Sequence, residues 1–316
     1  MPISPPKPNW SLKDAPALDG KVAIVTGATG GIGYETALGL ARLGANTIVA
    51  GRDRAKGSRA VTRIQREIPA AKVRFELLDL ASLASVADFA NGVSAAQRGV
   101  IDILVNNAGV MGYPTRQRTA DGFERQIGVN YFGHFALTAR LKDALCAAPG
   151  GGRVVTVASL AHRRAVLKLD DLQSERSYNA LRVYGQSKLA ELIFALELQR
   201  RAEQNGWTLR SIAAHPGWAR TDIIDSGIGG GQPNLKAWLI TFGFGLVAQS
   251  AGEGALPSLY AAAAPEAAGG AYYGPSGPGE TRGAPGMARV FPQALDTAAA
   301  SLLWAASEKL TGVGFG

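Results

Sequence analysis

Short runs rich in valine and isoleucine alternate along the chain with longer stretches whose apolar positions recur every three or four residues. The runs predict strands at KVAIVTG (21–27), NTIVAG (46–51), KVRFELLDL (72–80), IDILVNNAG (101–109), RVVTVASL (153–160) and TLRSIAAHPG (208–217). AYYG (271–274) is a seventh. Helical patterns occupy 32–43, a basic stretch stopped by Pro69, 82–97, 122–147, 181–204 and 291–310. Such alternation builds βαβ units, and right-handed crossovers then wind helices onto both faces of the sheet. The expectation is an α/β fold with a doubly wound, mostly parallel, seven-stranded sheet. Residues 1–20 read as a Pro-rich tail and 21–316 as one domain. The glycine-rich interruption at 222–248, beyond the sixth strand, reads as a lid over a substrate.

Composition narrows the class without changing the fold. Of the 316 residues, 47% are hydrophobic and 18% charged, which is globular rather than disordered. The net charge of +8 is scattered, with no basic stripe interleaved with aromatics, so nucleic acid is not the expected partner. Cys146 is alone, which excludes an intramolecular disulfide and fits a reducing cytoplasm. No transmembrane segment is expected: the longest apolar stretch of the last third, Ala237 to Ala248, is too short to span a bilayer, though an interfacial helix is an alternative. His134, His162 and His215 lack metal-ligand spacing, so no metal site is expected.

The first strand runs into Gly27, Ala28, Thr29, Gly30, Gly31, Ile32 and Gly33, which open a helix. Glycines let the backbone approach a pyrophosphate, and the helix N-terminus offers unpaired N–H groups at a positive dipole end. The second strand ends in Gly51, where dinucleotide sites for NAD usually carry an acid for the adenosine ribose. Arg52 follows and suits a 2′-phosphate, so NADP(H) is preferred. Asp53 is the competing ribose acid, and NAD(H) use stays open. Asp79, with Leu80, closes the third strand; Asn106, Asn107, Ala108 and Gly109 close the fourth. Their short polar side chains can bond adenine, tie loops or cap turns.

Tyr184 and Lys188 stand at i and i+4 of a helical pattern, so phenol and ammonium face one ligand. An ammonium about 4 Å from a phenolate favours ionisation by ~4 kcal/mol at an effective dielectric near 20. That is enough for general acid–base work. A Tyr-x-x-x-Lys is common on helices, but here it follows TGATGGIG, NNAG, Asn130 in GVNYFGHF and Ser159 in VTVASLAH, and precedes HPGWART. Across nearly its whole length the chain resembles the short-chain dehydrogenase/reductase family. RDRAKG, GHFALT, ASLAH and GQSKLAELIFALELQRR are most similar to its retinol-dehydrogenase branch.

That resemblance implies a Rossmann-type fold and oxidoreduction between a carbonyl and an alcohol on a fairly apolar small molecule. Tyr184 would be the general acid and base. Lys188 would bond the nicotinamide ribose and favour the phenolate, and Ser159 would polarise the substrate oxygen. Asn130 would bind a water linking Lys188 to solvent. Pro216, Gly217 and Thr221 would run along the nicotinamide. Gly27, Gly31 and Gly33 match the glycine motif; Asp79 and Asn106 match adenine-side and loop-stabilising positions. The resemblance also implies a homodimer or homotetramer through the two long helices, with a monomer as the alternative within this branch. The insert between Ser159 and Tyr184 adds Arg163, Arg164 and Lys168 near the mouth, read as solvated loop charges. A dinucleotide-binding regulator without turnover and a carbon–carbon double-bond reductase are the alternative functions.

Overall fold

Every residue of β1 (Val22–Thr26) is buried, as a strand covered on both faces requires. Val22 and Ile24 join one apolar core and Ala23 and Val25 the other, the two-residue period dividing the strand between two layers. The computed structural model describes residues 5–219 and 248–316. Around β1 stand β2 (Asn46–Gly51), β3 (Val73–Leu77), β4 (Ile103–Asn106), β5 (Arg153–Val157), β6 (Arg210–Ala214) and β7 (Tyr272–Pro275). They are parallel in the order β3-β2-β1-β4-β5-β6-β7, so the order reverses between β1 and β4, where an open α/β sheet binds ligands.

The sheet departs from the expectation at its edge. Among the described residues it has eight strands rather than seven, because β8 (Pro285–Met287) pairs antiparallel with β7. Three residues including a proline give no alternating pattern, and proline is tolerated only on such an edge.

One face carries α1 (Gly31–Arg42), α2 (Arg54–Glu67) and α7 (Ala251–Ala263). The helix α7 was not predicted; Gly254 and Pro257 inside it obscure its period, although a Ser250–Glu253 capping box marks its start. Within the Pro-rich segment, buried Trp10 packs onto this face, edge-on to Tyr260 at 5.2 Å.

The other face carries α3 (Leu83–Ala96), α5 (Gly133–Cys146), α6 (Ala180–Asn205) and α8 (Thr297–Thr311). The long helix expected over 122–147 is three pieces: α4 (Arg125–Ile127), a π turn at Gly128–Phe132, and α5. The pattern read as helix from 291 becomes α8 only at Thr297, once Pro292 has passed and Asp296 caps the N-terminus. Cys146 packs against the core, and burial pushes its thiol up.

Helix α8 lies along α6, with Trp304 stacked on Phe194 and edge-on to Phe135; Phe315 closes the cluster at 4.5 Å from Trp304. The apolar face of α5 and α6, expected to meet a second copy, is in this region covered by the chain's own C-terminus. Trp304→Ala should therefore lower stability by about 3–5 kcal/mol in urea unfolding. A loss under about 1 kcal/mol would show that α8 is not part of the core.

Candidate functional site

At the carboxyl ends of β1 and β4 lies a cavity of about 1370 Å³. The turn after β1 forms its floor. Gly27 and Gly31 adopt positive φ of 65° and 52°, conformations open to glycine at no steric cost. A Cβ on Gly33 would lie 2.4 Å from Asn107 Nδ2 and 2.5 Å from the Gly27 carbonyl oxygen, so the glycine is needed for close packing. Gly30, the N-cap of α1, contributes no side-chain cap, which leaves first-turn N–H groups for an anion. Thr29, Gly30, Gly31, Ile32 and Gly33 all line the cavity.

Thr26 ties this turn to β4. Its Oγ1 accepts the N–H groups of Asn107 and Ala108, each at 2.9 Å, and lies 2.9 Å from His134 Nε2. Ala108 and Gly109 line the cavity, as do Asp79 and Leu80. Asp79 accepts the N–H of Ala81 at 3.0 Å, an Asx turn that shapes this wall. Asn106 lies behind the wall, completely buried and bonded to Thr138 at 2.9 Å.

At the far end of β2, Arg52 lines the cavity and is exposed. Asp53 caps α2: it accepts the Lys56 N–H at 2.9 Å, and that bond holds its carboxyl below the usual range. Lys56, Arg59 and Arg63 also reach the cavity. Composition treated them as scattered charge, yet their spacing of three and four residues already puts them on one helical side.

At the opposite end Ser159, Tyr184 and Lys188 line the same cavity. Ser159 follows β5 and accepts the Ala161 N–H at 3.2 Å, leaving its own proton to donate. Lys188 Nζ is 5.9 Å from the centre of the Tyr184 ring and donates to the Val157 carbonyl at 3.0 Å. Burial works against the ammonium, but the attraction of Glu191 and Tyr184 outweighs it and holds Lys188 above the usual lysine range. Glu191, 2.8 Å from Nζ, was not anticipated from sequence.

Asn130 sits in the π turn, bonding both N–H and carbonyl of Val110 and the Ser187 hydroxyl. A Cβ on Gly109 would lie 3.5 Å from Lys188 Nζ and 3.6 Å from Asn130 Oδ1, which shows how closely this loop meets the lysine. The Asn130 carbonyl accepts the His134 Nδ1–H at 2.7 Å. Pro216 and Gly217 line the cavity beyond β6. Thr221, and the proposed lid up to residue 247 with Trp238, Phe242 and Phe244, lie outside the described residues.

The charges of the insert have mixed fates. Arg163 pairs with Glu280 at 2.7 Å, and the same carboxylate oxygen takes His215 Nε2 at 2.9 Å. Arg164 and Lys168 are exposed. Among the described residues no cluster of three or more His, Cys, Asp or Glu could hold a metal, and no helix is long and apolar enough to cross a membrane.

Comparison with known proteins decides the lineage. The short chain dehydrogenase family model matches residues 21–227. The chain belongs to the short-chain dehydrogenase/reductase family. It falls in the retinol-dehydrogenase-like branch: it is 42% identical to human retinol dehydrogenase 13 over 94% of this chain and 86% of that protein. It is 40% identical to mouse polyprenol dehydrogenase over 100% of this chain and 88% of that protein. A solved structure of an uncharacterised protein from Mycobacterium paratuberculosis is 38% identical, covering 98% and 99% of the two chains with a TM-score of 0.79. A metagenomic short-chain oxidoreductase solved with NADP is 29% identical, covering 63% and 83%, with a TM-score of 0.52. This family member is an NAD(P)-dependent oxidoreductase acting on CH–OH or C=O groups.

The buried histidines make the site acid-sensitive. Burial pushes His134 down to about 4, and burial likewise lowers His162 and His215. With the folded ring harder to protonate than the usual 6.5, the unfolded chain takes up the proton first as pH falls. Stability present above pH 6.5 is then lost toward pH 4, about 2–3 kcal/mol through His134 alone. Unfolding free energies at pH 7.5 and 4.5 should differ by that much more in the wild type than in His134→Gln. Equal pH dependence in the two proteins would mean that folding leaves the protonation of His134 unchanged.

Proposed function

We propose that the chain is an NADP(H)-preferring oxidoreductase that interconverts a carbonyl and an alcohol on a fairly apolar small molecule, with Tyr184 as general acid and base. The carrying observation is that Ser159, Tyr184 and Lys188 line one end of a single cavity whose other walls are the glycine turn and the basic side of α2. The glycines at 27 and 33 leave a cradle that any Cβ would fill, and the residues present fit a dinucleotide.

Gly27, Gly31 and Gly33 would take the pyrophosphate, with Asp79 and Leu80 beside the adenine and Pro216 and Gly217 along the nicotinamide. When bound, the cofactor supplies or removes the hydride. Ser159 donates its free proton to the substrate oxygen and fixes its direction. In reduction Tyr184 protonates that oxygen; in oxidation it takes the proton back. Lys188, itself buried, holds a positive charge beside the phenol, where it acts at higher effective strength than in water.

For the cofactor phosphate, Asp53 spends its carboxylate on the α2 cap, while Arg52, Lys56 and Arg59 face the cavity as donors. That supports NADP(H), as does the NADP bound in the metagenomic relative. For the substrate, Val110, Met111, Leu160 and Leu181 give the cavity apolar walls. The relatives are named for apolar alcohols, retinol and polyprenol, which points the same way.

Tyr184→Phe should cut turnover at least 10²-fold, the scale of general acid–base catalysis, with NADPH binding retained in a fluorescence titration. Wild-type turnover in that variant would remove Tyr184 from the mechanism. Arg52→Glu should lower kcat/KM with NADPH by about 10- to 100-fold and leave NADH within a few-fold, the effect of losing a charge-assisted phosphate contact. A parallel fall with both cofactors would show that Arg52 does not read the phosphate.

A further inference from the structure

We propose that Glu191 is a positioning residue of the active site, a buried carboxylate that holds the Lys188 ammonium in place and in its charged form beneath Tyr184. The inference rests on the role proposed for Tyr184 and Lys188. Glu191 lies one turn after the lysine on α6 and is 1% exposed; its two oxygens stand 2.8 and 3.2 Å from Nζ. With Val157 taking another N–H at 3.0 Å, the ammonium is gripped from behind. Among the described residues Glu191 has no other hydrogen-bond partner.

Stability alone does not explain the pair, since a buried ion pair is often no better than apolar residues of the same volume. What it does is chemical. Desolvation drives a buried lysine toward its neutral form, and an adjacent carboxylate reverses that. The other titratable groups facing the pair are Tyr184 on the same helix, His134 from α5 and Tyr272 from β7, with His162 behind Tyr272. Burial keeps both histidines harder to protonate and Tyr272 well above the usual phenol range. Glu191 is therefore the negative charge that balances Lys188 within this shell. Burial pushes its own carboxyl up to about 7 against the pull of the lysine, so the balance is complete above neutrality.

Removing this charge makes the Tyr184–Lys188 couple easier to deprotonate, whichever member releases the proton. In carbonyl reduction both losses act in the same direction, because the phenol must arrive protonated and the ammonium charged. The test is the pH profile of kcat/KM for NADPH-driven carbonyl reduction in wild type, Glu191→Gln, Glu191→Asn and Glu191→Asp. The two amide variants should move the alkaline limb to lower pH by about one unit or more. Glu191→Asp, which keeps the charge, should stay within about half a unit of wild type. If only one amide variant folds, that one decides. A limb unmoved or shifted upward, or a drop in rate uniform at every pH, overturns the proposal. Tyr184→Phe run in parallel separates the two readings: if it is inactive while the Glu191→Gln limb coincides with wild type, only the role of Glu191 falls.

Discussion

Much of this structure depends on the hydroxyl of Thr26. At the end of β1 it accepts two backbone N–H groups from the end of β4, drawing together the central strands where the sheet order reverses. On its other side lies His134 Nε2. The Asn130 carbonyl can only accept, so a neutral ring carries its proton on Nδ1 and its Nε2 can accept from the Thr26 hydroxyl, which also faces the Val105 carbonyl at 3.3 Å. Asn130 in turn fixes Val110 and Ser187, the residue before Lys188. One line of hydrogen bonds thus runs from the glycine turn to the helix that bears Tyr184. It works only with a neutral histidine, and complete burial supplies that condition.

The parts legible in the sequence are those where a local rule and the global fold agree. β1 and β2 read plainly because strands buried on both faces need continuous β-branched runs, and the glycine turn because its backbone conformations exclude other residues. Asn106 is the expected cofactor-side residue, but the pleat sends neighbouring side chains to opposite faces: Asn106 bonds Thr138 of α5, while Asn107 bonds the β1 backbone and lines the cavity. The π turn left no period to read, and Glu191 resembled any helical glutamate until folding removed its solvent. Tertiary burial, rather than local propensity, decides such residues.

Charge follows the same logic. On α2 the basic residues could be sorted by helical spacing, and the N-cap role of Asp53 explains why an acid next to Arg52 need not oppose an anion. In the insert, Arg163 pairs with a carboxylate from a distant part of the chain, which no local pattern predicts. That carboxylate belongs to Glu280, a non-glycine residue at a φ of 58°, a conformation that persists only when its surroundings impose it. Arg163, His215 and the Arg289 N–H impose it here, and they join the loop after Ser159 to the end of β6.

On the proposed function, the two ends of the cavity are built on different principles. A phosphate is recognised by backbone N–H groups and a helix dipole, neither of which changes state during turnover, so that end needs bare glycine and close packing. Proton transfer needs a side chain that alternates between two charge states, and each state must be affordable in a desolvated place. Lys188 is buried, so its charge is balanced by buried partners, a carboxylate behind it and a carbonyl on its flank, while an aromatic clamp of α8 holds α6 in place. Rigidity at the chemical end is therefore an electrostatic requirement, because a looser α6 would admit water and weaken the field that the ammonium exerts on the phenol.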